Sequence, residues 1–223
     1  GKLSKEKGIR FYLKNDCRML EDVLSYNVVG EIRGTEFPDE IIVIGGHLDS
    51  WDLAEGAHDD GAGMIHALEA TRILKKHHAL KRTMRVVMFI NEENGLAGGK
   101  EYADLAETNE EKHVAGLESD SGGFLPLGFS IDAKEETIEK VVSWKTLFEP
   151  YNVFIFEEGY GGADINPLKN QDVPLFGLRC DSQRYFEIHH NGNDVFENVN
   201  KRELELGSAT LASMIYLIDK YGL

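Results

Sequence analysis

Histidines and carboxylates cluster at His47-Leu48-Asp49, Asp59-Asp60-Gly61, Glu92-Glu93-Asn94-Gly95, Ser119-Asp120-Ser121-Gly122 and His189-His190-Asn191-Gly192-Asn193-Asp194. Each cluster alone is commonplace: a Glu-Glu pair is usually a solvated corner, and a histidine in a loop is usually on the surface. Gathered in one place they would repel one another strongly without a cation. A mixed nitrogen and oxygen set suits zinc, with manganese or cobalt as substitutes. Two such ions, about 3.5–4 Å apart, need one bridging carboxylate and terminal ligands for each. Water between them becomes a nucleophile near neutral pH, and a further carboxylate must take its proton. The adjacent Glu92 and Glu93 can divide these jobs, one binding metal and the other staying free as base.

The order of elements gives these clusters a common location. Strands are expected at 9–14, 26–33, 41–46, 84–91, 113–118, 152–156 and 174–180. Their signals are apolar runs or period-two alternation bounded by Gly, Pro and Asn. Helices are expected at 63–77, 98–107, 134–148, 164–169 and 201–221. The apolar residues of 63–77 are Met64, Ile65, Leu68, Ile73 and Leu74; those expected inward on 134–148 are Ile138, Val141, Val142 and Leu147. Strands alternating with helices imply an α/β three-layer sandwich around a mixed, mainly parallel sheet, with an antiparallel edge where the first strands are joined by short links. In such sheets functional residues collect beyond the carboxyl ends of the strands. That is where the clusters fall, after 41–46, 84–91, 113–118 and 174–180.

Composition narrows the function classes. Of 223 residues, 24 are Lys or Arg and 39 are Asp or Glu, a formal net charge of −15. That balance and the lack of a basic stripe argue against nucleic acid as a partner. The longest apolar runs are too short to span a bilayer. One domain is expected at this length, with a core that needs no disulfide. Cys17 and Cys180 belong to no short-spaced motif and are as readily two thiols as a pair. The opening Gly-Lys-Leu-Ser shows neither an initiator Met nor a signal-like apolar stretch, and reads as a processed or trimmed chain.

The clusters together resemble the co-catalytic dizinc exopeptidases, the group that includes bacterial leucyl aminopeptidases, glutamate carboxypeptidase II and carboxypeptidase Q. The carboxypeptidase Q branch is the nearest likeness, through Gly45-Gly46-His47-Leu48-Asp49-Ser50-Trp51-Asp52, Gly162-Ala163-Asp164-Ile165 and Tyr185-Phe186 followed by His189-His190. The resemblance runs from about Tyr26 to the C-terminus. It implies two Zn2+ ions, with Mn2+ or Co2+ as substitutes. His47 and Asp120 would bind one, Glu93 and His190 the other, and Asp59 would bridge them across a cis bond to Asp60. Glu92 would be the general base and later the acid for the leaving amine. Asp49 would hydrogen-bond His47 and fix its tautomer.

Neighbouring residues receive plainer roles. His58 is expected to be a loop residue, His189 to pack or line the pocket, and Asp52 and Asp60 to be structural or to support the ligands. His77-His78 sit at a helix end, where positive charge is favourable without any ligand role. Asp164 is expected to shape the substrate pocket, with Tyr185 and Arg184 as weaker substrate contacts. Relatives in this branch carry an N-terminal helical segment and an inserted protease-associated domain. Neither is visible here, so residues 1–223 are expected to be one catalytic domain lacking both.

The function implied is zinc-dependent hydrolysis of dipeptides or short peptides by a metal-bridging hydroxide, in an extracytoplasmic setting (secreted, periplasmic or lysosomal). A homodimer is compatible with the resemblance. Two other readings stand beside it. One is a dinuclear zinc amidase or deacylase acting on a non-peptide substrate. The other is a non-catalytic binding module of the same fold, as in the transferrin receptor ectodomain.

Overall fold

A computed structural model describes residues 10–223. Twelve named elements follow in order. They are β1 (Val28–Ile32), β2 (Phe37–His47), α1 (Ala62–His77), β3 (Arg82–Phe89), α2 (Ala97–Thr108), β4 (Lys112–Glu118), β5 (Pro126–Asp132), α3 (Glu135–Ser143), α4 (Lys145–Phe148), β6 (Ile155–Glu158), β7 (Leu175–Cys180) and α5 (Lys201–Tyr221). The strands form one sheet in the order β1-β3-β2-β4-β7-β5-β6. Strands β2, β3, β4 and β7 run parallel, β1 is antiparallel to β3, and β5 is antiparallel to β7 while pairing in parallel with β6. The mixed, mainly parallel sandwich is thus the observed architecture, with its expected antiparallel edge supplied by β1.

Alternation along the strands divides the core into two layers. Ile42 and Ile44 of β2, with Met84, Val86 and Met88 of β3, face one side, on which α1 packs over β2 and β3, α5 over β5 and β7, and α3 against β6; Ala67, Ala70 and Leu74 of α1, Leu211, Met214 and Ile215 of α5, and Val141, Trp144 and Phe148 of 141–148 belong to the same buried cluster. Val43, Val87 and Phe89 face the other side, against Tyr102, Ala103 and Ala106 of α2 and Ile165 and Leu168 of the turn before β7. Burial on both faces is why 41–44 reads as an unbroken apolar run rather than an alternating one. At the end opposite the histidine-rich rim, the buried Asp219 of α5 accepts hydrogen bonds from the Lys81 and Arg82 amides and meets His78 Nε2 at 2.7 Å. This anchors the start of β3 to the last helix, and it is what His78 does at its helix end.

Several elements differ from expectation for identifiable reasons. Ile9 of the strand expected at 9–14 lies outside the described residues. The remainder forms no strand: Phe11, Tyr12 and Leu13 are exposed with no neighbour to complete a ladder. On α1 the buried stripe is His66, Ala67, Ala70 and Leu74, whereas Ile65 and Leu68 face outward. Small residues win that stripe because α5 crosses close by, and a side chain at Gly207 would strike the His66 ring. The helix expected over 134–148 tightens at Trp144, whose amide returns to the Val141 carbonyl at 3.0 Å. Val141, Trp144 and Phe148 then share the inward stripe, leaving Val142 and Leu147 exposed. The strand expected at 152–156 begins later, at Ile155, because Asn152 takes a left-handed conformation (φ 62°) that closes the preceding turn. The helix expected at 164–169 is a 3-10 turn over Asn166–Gln171. Strand β5 was not expected, since Pro126 and Gly128 mask the alternation of Phe129 and Ile131. By contrast α5 spans the expected residues, and Asn200 caps it by accepting from the Arg202 and Glu203 amides.

Candidate metal centre

The parallel strands deliver the expected residues to one rim. His47 is the last residue of β2, Glu92 and Glu93 follow β3, Asp120 follows β4, and His190 lies in the long loop after β7. Asp59 belongs to the turn Ala57–Gly61 that opens α1, and its bond to Asp60 is cis. Strands β3 and β4 lie on either side of β2, so the chain reverses its direction of sheet growth there. That is the crevice where open α/β sheets place their sites.

The distances are short. His47 Nε2 lies 3.3 Å from Asp59 Oδ1, 3.7 Å from Asp120 Oδ1 and 4.0 Å from Glu92 Oε2. His190 Nε2 lies 3.0 Å from Glu93 Oε2 and 3.3 Å from Asp59 Oδ2. Asp59 therefore faces a histidine with each of its two oxygens. His47, Asp59 and Asp120 form one group able to hold a metal ion, and Asp59, His189 and His190 form a second. Bonds of about 2.0–2.1 Å at tetrahedral angles put neighbouring donor atoms about 3.3 Å apart, which matches the separations across Asp59. His47 Nε2, Asp59 Oδ2, Glu93 Oε1 and Asp120 Oδ1 are all buried and make no hydrogen bond among the described residues. Buried polar atoms left this way are costly. Their convergence fits cations, which need such lone pairs.

Titration directions agree with that fit. Burial opposes protonation of His47, yet the Asp120 and Asp59 carboxylates overcome it and push the imidazole far above its usual range. A proton there does in part what a cation would do fully. Burial pushes Glu93 upward, reinforced by Asp59. Burial also pushes Glu92 up to about 7, with Asp120, Glu93 and Asp59 adding to the effect and His47 opposing it.

The supporting contacts are specific. The Asp49 carboxylate does not make the hydrogen bond to His47 that the resemblance implies: its Oδ1 stands 3.9 Å from Nδ1, and it is the Asp49 carbonyl that meets Nδ1, at 2.8 Å. A carbonyl only accepts, so Nδ1 carries a hydrogen and Nε2 is the nitrogen presented to the rim, able to bind a cation in place of its proton. The carboxylate instead accepts from the Glu92 and Glu93 amides at 3.0 and 3.2 Å, holding the corner that carries both glutamates. Asp60, fully buried, accepts from the His47 and Gly63 amides, and a side chain at Gly46 would run into its carboxylate. Asp194 is buried and accepts from the His58 amide at 2.6 Å and the Asp59 amide at 3.0 Å. Spacing alone tied Asp194 to His190; its action on Asp59, far away in sequence, was not visible.

Residues 27–215 match the profile of Peptidase family M28. The chain belongs to that family. It is 33% identical over 211 residues to carboxypeptidase Q of Rattus norvegicus, covering 94% of this chain and 45% of that protein. To carboxypeptidase Q of Homo sapiens it is 32% identical, covering 92% and 44%. The crystal structure of a peptidase M28 precursor from Shewanella amazonensis superposes with a TM-score of 0.83 at 36% identity, covering 89% of this chain and 46% of that one. A zinc aminopeptidase from Bacillus subtilis shares the fold, with a TM-score of 0.67 at 22% identity over 85% of this chain and 49% of that one. The chain thus spans less than half the length of the carboxypeptidase Q relatives. As an M28 member it is a metallopeptidase homologue.

Within this M28 chain the remaining candidates find distinct places. His189 comes to the rim with His190: the rings stack at 3.5 Å, and His189 Nε2 is 3.5 Å from Asp59 Oδ2. Tyr185 stacks on His189 at 4.7 Å, and burial raises its hydroxyl pKa. His58 is buried against Phe124, with Nδ1 accepting from the Gly123 amide, and so lies in the loop without facing the rim donors. Arg184 is turned to Glu203 and the Phe124 ring. Among the described residues Asp52 accepts only from the adjacent Leu53 amide. Glu118, buried at the end of β4, accepts from the Ala163 and Ile165 amides and so fixes the segment that carries Asp164. Both Asp164 oxygens are buried and have no hydrogen-bond partner among the described residues, and burial pushes that carboxyl up to about 8. Cys17 is exposed and Cys180 buried, both as free thiols. Among the described residues no helix is long and apolar enough to cross a membrane.

Proposed function

We propose that this chain is the catalytic domain of a dinuclear zinc exopeptidase that hydrolyses dipeptides or short peptides in an extracytoplasmic setting. His47 and Asp120 would hold one ion, Glu93 and His190 the other, and Asp59 would be shared between them. The observation that carries this reading is the set of four buried, unpartnered donor atoms converging from three strand ends and the α1 turn. Bound there, a pair of divalent ions supplies Lewis acidity and a water acidic enough to act near neutral pH.

The chain's own residues supply the rest. Glu92 stands 4.0 Å from His47 and is left free of the proposed ligand set, so its carboxylate would take a proton from water and return it to the leaving amine. Asp49 acts on it indirectly, by gripping the backbone of Glu92 and Glu93 and orienting His47 through its carbonyl. Asp194 and Asp60 hold the two halves of the bridging turn.

The test is hydrolysis of free and end-blocked dipeptides by chelated protein with and without restored zinc. Zinc-dependent cleavage lost on blocking the amine supports an aminopeptidase or dipeptidase. Loss on blocking only the carboxylate supports a carboxypeptidase. Cleavage of N-acyl amides instead of peptides would move the reading to a deacylase, and absence of any cleavage with two ions bound would overturn it in favour of a binding module.

A further inference from the structure

Beside the rim a cleft of about 250 Å³ is lined by Asp120, Ser121, Tyr160, Gly162, Leu178 and Arg179, among others. It is smaller than the usual range for drug-sized ligands, roughly 300–1,000 Å³, and so suits a group about the size of one amino-acid residue. Among the described residues, Arg179 is the only basic one in its lining. In a chain with a formal net charge of −15 that is a specific placement. Asp120 and Glu118 also line the cleft, so Arg179 is the group in the lining that would favour a substrate carboxylate.

The strands explain how Arg179 is presented. It is the penultimate residue of β7 and is paired with Gly128 of β5, which contributes no side chain beside it. Along β7, Phe176 and Leu178 turn into the larger core while Leu175 joins the smaller one, so Arg179 lies on the Leu175 side. Its one acidic partner among the described residues, Glu157 of β6, is 3.5 Å away, and both side chains are about half exposed. An exposed pair at that distance contributes little and leaves the guanidinium fork free to change partners. A planar guanidinium is matched to a carboxylate, which it can hold with two parallel hydrogen bonds.

We infer that Arg179 is a substrate-binding residue that anchors a carboxylate of the peptide in this cleft, with Glu157 holding the guanidinium between turnovers. The inference rests on the peptidase reading above. The carboxylate has two sources, the α-carboxylate of the residue after the scissile bond or an acidic side chain. Both present the same chemistry to Arg179.

The test compares KM and kcat of zinc-loaded wild type, Arg179→Gln and Arg179→Lys on Ala-Leu against Ala-Leu-amide, and on Glu-Leu-amide against Gln-Leu-amide. The wild type is expected to favour one acid over its amide by at least tenfold in KM, about 1.4 kcal/mol. That preference should vanish in Arg179→Gln and survive in part in Arg179→Lys. Glu157→Gln should strengthen it by twofold or more. A preference in the first pair assigns the α-carboxylate, and one in the second an acidic side chain. Hydrolysis without any acid preference, or with a preference unchanged in Arg179→Gln, overturns the inference while leaving the peptidase reading intact. If no dipeptide is cleaved, the peptidase reading fails. Calorimetric binding of N-acetyl-leucine against N-acetyl-leucinamide then decides the carboxylate site, and equal binding of the two by wild type refutes it.

Discussion

Asp194 offers a severe test of how the turn carrying Asp59 is held. Its carboxylate accepts the His58 and Asp59 amides at 2.6 and 3.0 Å, and the residue is almost completely buried. Replacement by Ala leaves two buried N–H groups without partners. Hydrogen bonds to a charged group are worth about 1.5–3 kcal/mol each. Partial rescue by water gives a net loss of about 3–5 kcal/mol. For a domain of about 150–250 residues, each kcal/mol moves Tm by about 2–4 °C, so Asp194→Ala should lower Tm by about 6–20 °C. Asp194→Asn keeps the volume and one good acceptor and should cost about half as much. The assay is thermal and urea unfolding of metal-free protein, followed by zinc titration of each variant at a temperature where it remains folded. Zinc affinity should fall as well, because the Asp59 amide is one of the two groups released. A stability change below about 0.5 kcal/mol, the range of ordinary surface substitutions, would refute the assigned contacts. A large stability loss with zinc binding unchanged would refute the link between Asp194 and the position of Asp59.

Two further outcomes follow from other parts of the molecule. Glu92→Gln should bind zinc as wild type does while losing about 10²–10⁴-fold in kcat; kcat within tenfold of wild type would remove Glu92 from its role as base. His113, remote from the rim at the start of β4, is pushed down to about 4 by burial, with Arg85 adding to it, and its Nε2 meets the Tyr102 hydroxyl at 2.6 Å. Its folded pKa is below the unfolded value of 6.5, so its contribution is present above pH 6.5 and is lost as pH falls towards 4. Between pH 7 and pH 5 this amounts to about 2 kcal/mol, and His113→Gln should show a pH-dependent loss smaller by that amount in urea unfolding. An unchanged loss would contradict the burial of a neutral imidazole.

What the sequence disclosed follows from the range of each signal. The apolar runs of β2 and β3 are local and strong because both strands are buried on two faces. The rim residues were found because parallel strands end at the same side, so the position after each strand is itself a spatial coordinate. The fold of 122–132 was missed because β5 is held by its partner β7 and carries Pro126 and Gly128, which locally signal a turn. The inward face of α1 was not legible from its large apolar residues, because a close helix crossing favours Ala and Gly over Ile65 and Leu68, a preference set by α5 more than 130 residues away. Asp49 shows the limit most clearly. Its neighbourhood with His47 could be read, but which of its atoms meets the ring depends on the Glu92-Glu93 backbone arriving from another strand. Asp194 belongs to the same class, since its partners lie 136 and 135 residues away.

The shared carboxylate is the centre of the account, and zinc titration of the chelated chain by calorimetry tests it most directly. Wild type should take up two equivalents, His190→Ala should lose the tight binding of one, and Asp59→Asn should weaken both together because each Asp59 oxygen faces a different histidine. A single equivalent in wild type, or undiminished binding of both ions by Asp59→Asn, would contradict a dinuclear centre bridged by Asp59.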